Sequence, residues 1–146
     1  MNLIESLERN ARNNPKNTAI IFEDKVHSYK EYNEEVNRIA NALVAYGVKK
    51  GDKIALMMKN SDQFAFVYYA ILKAGGVAVP VNFRLTAKEA SFILNNSDSM
   101  IVFADGDLAA TMQKAAEGNE KVQLQVVVGS NKMENQMLLS EFRSSK

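Results

Sequence analysis

Apolar runs of strand length and segments with helical periodicity take turns along most of this chain. Lys53 to Met58 is almost continuously apolar, which is typical of a strand covered on both faces. Phe64 to Ala74 follows it and is apolar almost all round, as a deeply buried helix is. Strands joined by helices form right-handed crossovers and lie parallel. The sequence therefore predicts an α/β fold with three layers, a mostly parallel sheet flanked by helices.

A small antiparallel hairpin is expected near the N-terminus, before the alternation begins. Ala19–Phe22 and Val26–Tyr29 are β-prone runs separated by a polar turn of three residues. Leu3–Asn13 ahead of them is amphipathic and ends before Pro15, which predicts a short helix. The other predicted elements are a helix from the Ser28 cap to Gly47, a strand over Val77–Val81, a helix from Thr86 through Leu94, a strand over Met100–Ala104, a helix through Ala116 and a strand over Leu124–Val128.

Capping signals mark two of these helix starts. Ser28 with Glu31, and Thr86 with Glu89, have the spacing of a capping box, in which each side chain satisfies a backbone N–H of the other residue. We therefore expect helices to begin directly after Ser28 and directly after Thr86.

The chain length fits one domain, so residues 1–146 are expected to form a single α/β domain. The stretch at 130–146 is a tail of uncertain structure. Its first part, Ser130 to Gln136, is polar, and Met137 to Phe142 suggests a final short helix.

Composition excludes several classes of function. Eighteen basic and seventeen acidic residues give a net charge of +1, which offers no support for nucleic-acid binding. Cysteine is absent and His27 is the one histidine, so disulfides, thiolate sites and multi-histidine metal sites are excluded. We see no targeting segment at the start and no apolar run of membrane-spanning length, and we expect a cytoplasmic location.

Open α/β sheets bind ligands beyond the carboxyl ends of their strands, so a site is expected in the loops that follow the strands. A phosphate cradle there requires several glycines that open a helix. The adjacent pair Gly75-Gly76 ends a helix, which indicates a C-cap and a tight entry into the next strand. The residues themselves therefore indicate no phosphate site.

Two carboxylate pairs and the histidine are candidates for chemistry. Glu34-Glu35 and Asp105-Asp107 suit acid/base or magnesium work, but a solvated helix face and a helix cap are the structural alternatives that we favour. His27 lies in the predicted hairpin, and we interpret it as a partly exposed strand residue without a catalytic role.

Three residues are candidates for contacting a substrate. Arg84 follows a strand end, where an anion site is expected, and comes two residues after Asn82. A surface salt bridge or an anchoring role in the loop is the alternative for Arg84. Tyr68 is one of four aromatic residues that suit the wall of an acyl pocket, or simply the interior of a buried helix.

Two long stretches resemble the first two core motifs of adenylate-forming enzymes, the family of acyl-CoA synthetases, luciferases and peptide-synthetase adenylation domains. The first reads YKEYN at 29–33 and VNRIANAL at 36–43; the second reads GVKKGDKIAL at 47–56, NS at 60–61 and AILKAGGVAVPVN at 70–82. NFRLT at 82–86 and ILNNS at 93–97 are similar to the acyl-CoA ligase branch. The resemblance runs from about Leu3 to about Val128.

This resemblance implies a function for the longer protein of which such a segment is the N-terminal part. Members of the family use ATP and Mg²⁺ to convert a carboxylate, here a fatty acid, to an acyl-adenylate, and CoA then takes the acyl group. Their phosphate loop, adenine and magnesium contacts and catalytic lysine come later than the motifs present here. We therefore expect no catalytic, cofactor-binding or metal-binding residue in this chain, and no activity from it alone.

The resemblance also implies partners and leaves alternatives open. The remaining subdomains of the ligase are expected to pack here, and an isolated chain is expected to expose an apolar surface suited to forming a homodimer. One alternative is a stand-alone α/β binding or interaction module related to the ligases. Another is the corresponding part of an aryl-acid or luciferase-like ligase.

Overall fold

The computed structural model describes residues 3–144, so part of the N-terminal start and the last two residues of the tail lie outside the described residues. Within that range, two strands form a hairpin, β1 (Thr18–Phe22) and β2 (Lys25–Ser28). The strands of the main sheet are β3 (Lys53–Met57), β4 (Val77–Pro80), β5 (Ile101–Asp105), β6 (Leu124–Val128) and β7 (Met137–Leu138). The helices are α1 (Leu3–Asn13), α2 (Tyr29–Tyr46), α3 (Asp62–Lys73), α4 (Ala87–Ser97), α5 (Ala109–Ala116) after a 3₁₀ turn at Gly106–Leu108, and α6 (Leu139–Ser144).

The main sheet is parallel throughout, in the order β4-β3-β5-β6-β7, and the hairpin is antiparallel. Helices cover both faces. On β5, Ile101 and Phe103 face a core shared with α1, α2, α3 and α6, whereas Val102 and Ala104 face a second core shared with α4 and α5. Successive side chains of a strand point to opposite faces, and apolar residues at every position therefore build both cores. The predicted three-layer α/β fold with its hairpin is confirmed.

Both predicted capping boxes are present. The Ser28 hydroxyl accepts the Glu31 N–H at 3.2 Å, and the Glu31 carboxylate accepts the Ser28 N–H at 2.9 Å. Thr86 and Glu89 make the same two bonds at the start of α4. The helices begin at these positions because each box satisfies donors that a helix start leaves unpaired.

The tail differs from the prediction, since Met137 begins a strand and not a helix. Met137 and Leu138 pair with Val126 and Val127 of β6, and the helix starts only at Leu139. Buried Gln136 sets this register, because its side-chain amide donates to the Ala109 carbonyl at 2.8 Å and to the Gln125 side chain at 2.9 Å. The last sheet connection, β6 to β7, therefore has no helix, and the strict alternation ends there.

The α3 helix is less deeply buried than its apolar sequence predicted. Phe66, Val67, Ala70 and Ile71 are buried, while the aromatic residues beside them are half-buried. In residues 3–144, no helix is both long enough and apolar enough to span a membrane.

Candidate functional site

The candidate site lies at the carboxyl edge of the main sheet, between β3 and β5. The chain leaves β3 toward α3 on one face of the sheet and leaves β5 toward α5 on the other. Neighbouring strands whose connections run to opposite faces leave a crevice beyond their ends, and open α/β sheets bind ligands in such crevices.

Lys59 follows β3 and lies at the crevice between β3 and β5. Its backbone N–H donates to Asp105 Oδ2 at 2.8 Å, and its ammonium group pairs with Asp107. The hydrogen bond to Asp107 and the charge of that carboxylate raise the pKa of Lys59 above its ordinary value. Burial raises the pKa of Asp105, and the hydrogen bond from the Lys59 N–H opposes this rise without cancelling it. Both carboxylates are therefore engaged by one lysine.

Asp105 and Asp107 do not cap the helix that follows them, contrary to one predicted alternative. Neither the 3₁₀ turn nor α5 has a side-chain cap. The two carboxylates connect the β5 end to the loop after β3 instead, across 46 and 48 residues of sequence.

The loop after β4 brings two of the predicted substrate residues together. Asn82 Oδ1 accepts the Arg84 N–H at 2.9 Å, a local bond that shapes the turn. Phe83 comes between them in the sequence. Its ring centroid lies 5.3 Å from the Arg84 guanidinium carbon and 5.9 Å from Lys59 Nζ. Asn82 and Arg84 are exposed. Sequence reasoning missed Lys59 and Phe83, although both lie in loops that it had selected.

Tyr68 lies elsewhere. It is half-buried on α3, stacked on Phe64 with ring centroids 6.0 Å apart and in edge contact with Tyr69 at 5.7 Å. Helix α3 covers one face of the sheet, and the loop with Asn82 and Arg84 leads to α4 on the other. The structure therefore groups Asn82 with Arg84 but not with Tyr68.

His27 is partly exposed in its strand, as predicted, with 23% of its side chain accessible. Its Nε2 lies 2.9 Å from Asp62 Oδ2. Glu35 departs from the prediction of a solvated face, because it is only 17% exposed and accepts hydrogen bonds from Arg38 and Arg143. A polar cavity of about 290 Å³ is lined by, among others, His27, Glu35, Arg38 and Arg143.

Gly75, Gly76, Asp105 and Asp107 all have hydrogen-bond partners within the chain. The N–H groups of Gly75 and Gly76 donate to Leu72 and Ile71 carbonyls, so they cap α3 and do not converge on an anion. Among residues 3–144, no group of three or more histidine, aspartate or glutamate side chains is arranged to hold a metal ion. Asp105 and Asp107 are already engaged by Lys59.

The sequence pattern described as AMP-binding enzyme matches residues 7–146, nearly the whole chain. This chain belongs to the AMP-binding enzyme family. Its relatives in that family include the fatty acid–[acyl-carrier-protein] ligase ScoC of Streptomyces coeruleorubidus, 34% identical over 77% of this chain and 22% of that protein. The crotonobetaine/carnitine–CoA ligase of Salmonella paratyphi A is 35% identical over 70% of this chain and 21% of that protein. The chain thus spans about a fifth of the length of these relatives.

Solved structures of an acyl-CoA synthetase and of a CoA ligase have the same fold. The Mycobacterium tuberculosis fatty acyl CoA synthetase matches with a TM-score of 0.84 and 32% identity over 99% of this chain and 28% of that one. The anthranilate CoA ligase AuaEII, in complex with anthranoyl-AMP, matches with a TM-score of 0.92. The match covers 100% of this chain and 28% of the ligase chain. At 22% identity, the second likeness concerns the fold alone.

Proposed function

We propose that this chain is the N-terminal α/β part of an ATP-dependent acid–thiol ligase that activates fatty acids. Membership of the AMP-binding enzyme family supports the reaction class. Two relatives support a fatty acid, since their names are fatty acid–[acyl-carrier-protein] ligase and fatty acyl CoA synthetase. The carnitine ligase and the anthranilate ligase act on other acids, and those acids are the competing substrates for this proposal.

The reaction of the whole protein has two steps. A carboxylate oxygen attacks the α-phosphorus of ATP, the bond to the pyrophosphate leaving group breaks, and an acyl-adenylate forms. The thiol sulfur, which we propose is that of CoA, then attacks the acyl carbon and loses its proton. The bond between the acyl carbon and AMP breaks, and AMP leaves. Mg²⁺ would stabilise negative charge on the phosphates during the first step.

The observation on which we base the role of this chain is the crevice between β3 and β5, where Lys59 engages both Asp105 and Asp107. At this edge Asp105 and Asp107 already accept hydrogen bonds from Lys59, and among residues 3–144 no group of three or more histidine, aspartate or glutamate side chains is arranged for a metal ion. We therefore propose that ATP, Mg²⁺ and CoA bind to other parts of the ligase and that this chain is its scaffold. Residues 1–146 would act as one α/β domain within it.

Asn82, Arg84 and Tyr68 remain our candidates for substrate contacts. Among residues 3–144, Arg84 has no carboxylate within 4.0 Å, so its exposed guanidinium is available to an anionic group of a substrate. Half-buried Tyr68 would instead contact an acyl chain.

The outer face of α4 is the surface that we propose for the rest of the ligase. Phe92 is 68% exposed, and with Leu85 and Ile93 it lines an apolar groove of about 440 Å³ bordered by Lys88 and Glu89. The greater length of the relatives supports further ligase residues as the occupant. A second copy of the isolated chain is the alternative, and sedimentation of the wild type and of Phe92→Ser distinguishes the two. We also propose a cytoplasmic location, which the absence of cysteine favours.

A chimaera tests the function. The purified chain and a Mycobacterium tuberculosis fatty acyl CoA synthetase carrying this chain in place of its matching segment are assayed for ATP–pyrophosphate exchange with fatty, carnitine-type and aryl acids. We expect exchange with fatty acids from the chimaera and none from the chain alone. Exchange by the isolated chain contradicts the scaffold role. A folded, inactive chimaera contradicts the ligase role.

A further inference from the structure

A groove of about 350 Å³ lies between α1, the hairpin, α2 and α3, away from the sheet edge described above. Among residues 3–144, no charged side chain lines it. One wall carries aliphatic side chains together with Ser6 and Asn10, and the other carries three tyrosines. The lining residues on which the argument depends are Leu3, Leu7, Ile20, Tyr29, Tyr32 and Tyr69.

Tyr32 is the residue that singles out this groove. Its side chain is only 6% exposed, packed against Phe66 at 5.4 Å and Tyr69 at 5.7 Å between ring centroids. A buried tyrosine normally directs its hydroxyl to a hydrogen-bond partner. Among residues 3–144 the Tyr32 hydroxyl has no hydrogen-bond partner within 3.5 Å, and Tyr32 is one of the residues that line the groove.

Tyr29 and Tyr69 line the same groove, and their hydroxyls also lack a hydrogen-bond partner among the described residues. Burial first, and then Tyr69 and Tyr29, raise the pKa of Tyr32 above its ordinary value. All three phenols contribute neutral groups that both donate and accept. The groove thus offers phenol hydroxyls at one wall and, beside Ser6 and Asn10, aliphatic contact at the other.

We propose that this groove binds a small uncharged amphipathic molecule, with a hydroxyl or carbonyl at one end and an apolar body. The polar end would bond to the tyrosine hydroxyls, and the apolar body would cover Leu7 and Ile20. A carboxylate is disfavoured, because it would lose hydration and the described lining residues supply no cation to compensate. The site is therefore separate from, and chemically unlike, a site for the acid that a ligase activates.

The test is a titration of the ¹⁵N-labelled protein with 1-hexanol, followed by ¹H–¹⁵N NMR, with hexanoate as the matched charged probe. For so small a molecule we expect a Kd on the order of 1 mM for hexanol and at least about tenfold weaker binding of hexanoate. The shifted amides should be those of α1, β1 and the facing turns of α2 and α3.

Two variants identify the hydroxyls. Tyr32→Phe and Tyr69→Phe each keep the ring and remove one hydroxyl, and each should weaken hexanol binding about 3- to 10-fold. Tyr46→Phe is the control, because Tyr46 lies at the far end of α2 and outside the groove. Equal affinities in Tyr32→Phe, Tyr69→Phe and Tyr46→Phe would overturn the proposal. So would hexanoate binding as tightly as hexanol, or no shift of groove amides.

Discussion

His27 Nε2 lies 2.9 Å from Asp62 Oδ2, and this contact joins the hairpin to the first residue of α3. Asp62 is 3% exposed, so its carboxylate depends on protein partners for solvation. The Gln63 N–H supplies one at Oδ1, at 2.8 Å. The His27 ring also meets the Phe66 ring edge to face, with centroids 4.9 Å apart. The hairpin is therefore fixed to the helix by one polar and one apolar contact.

His27→Ala should lower the free energy of unfolding by about 1–3 kcal/mol, because Asp62 Oδ2 loses its buried partner. Urea denaturation measures this loss. Val26→Ala is the control, since Val26 is exposed on the same strand and should change stability by less than about 0.5 kcal/mol. A double-mutant cycle with Asp62→Asn separates the polar contact from the ring contact. A coupling energy of zero would contradict the pairing.

Gly76→Ala should destabilise the fold by about 1–3 kcal/mol through overpacking. A β-carbon at Gly76 would lie 3.2 Å from the Asp52 carbonyl oxygen and 3.2 Å from Ile71 Cγ2, where α3 turns into β4. Gly106→Ala is the matched control, because its β-carbon would meet nothing closer than 3.8 Å. Thermal unfolding of both variants checks the difference. A Gly76→Ala protein as stable as Gly106→Ala would show that the neighbours of Gly76 can move aside.

The sequence predicted the order of elements well because each element carries its own local signal. Strands β3 and β5 are apolar at consecutive positions, and their coverage on both faces follows from that pattern alone. The capping boxes lie within four residues of sequence, so their geometry is set locally.

The features that the sequence did not reveal depend on contacts between distant residues. Lys59 meets Asp107 across 48 residues, and His27 meets Asp62 across 35. The sequence around a single lysine or histidine does not predict which distant residue it contacts. For the same reason Met137 and Leu138 were expected to be helical, since their pairing with β6 is decided by the fold.

Thr86→Ala should raise the pKa of Glu89 toward its ordinary value. The backbone N–H of Thr86 lowers the pKa of Glu89 most, and the Thr86 hydroxyl lowers it further. A lowered folded-state pKa contributes stability that is present above the unfolded-state pKa and is lost as the pH falls through the folded-state value. NMR titration of the Glu89 carboxyl measures the change. Thr86→Ser keeps the hydroxyl and should leave the pKa unchanged; an equal rise in both variants would contradict this role.

Tyr32 should make the protein less stable in alkali, and Tyr32→Phe should remove that part of the pH dependence. Burial raises the pKa of Tyr32, with Tyr69 and Tyr29 adding to the effect. Above about pH 10, the ordinary pKa of tyrosine, the unfolded chain loses this proton while the folded chain retains it, so unfolding becomes more favourable. The contribution is complete below that pH and is lost as the pH rises toward the folded-state pKa.

Urea denaturation of the wild type and of Tyr32→Phe between about pH 8 and pH 11 tests this sign. Removal of the hydroxyl also changes stability by an amount that does not depend on pH, so the informative quantity is how the difference in unfolding free energy between the two proteins changes with pH. This difference should be constant below about pH 9. Above that pH the wild type should lose stability relative to Tyr32→Phe. Curves that stay parallel to pH 11 would mean that Tyr32 ionises equally in both states, and that its hydroxyl is more open to water than a 6% exposed side chain implies.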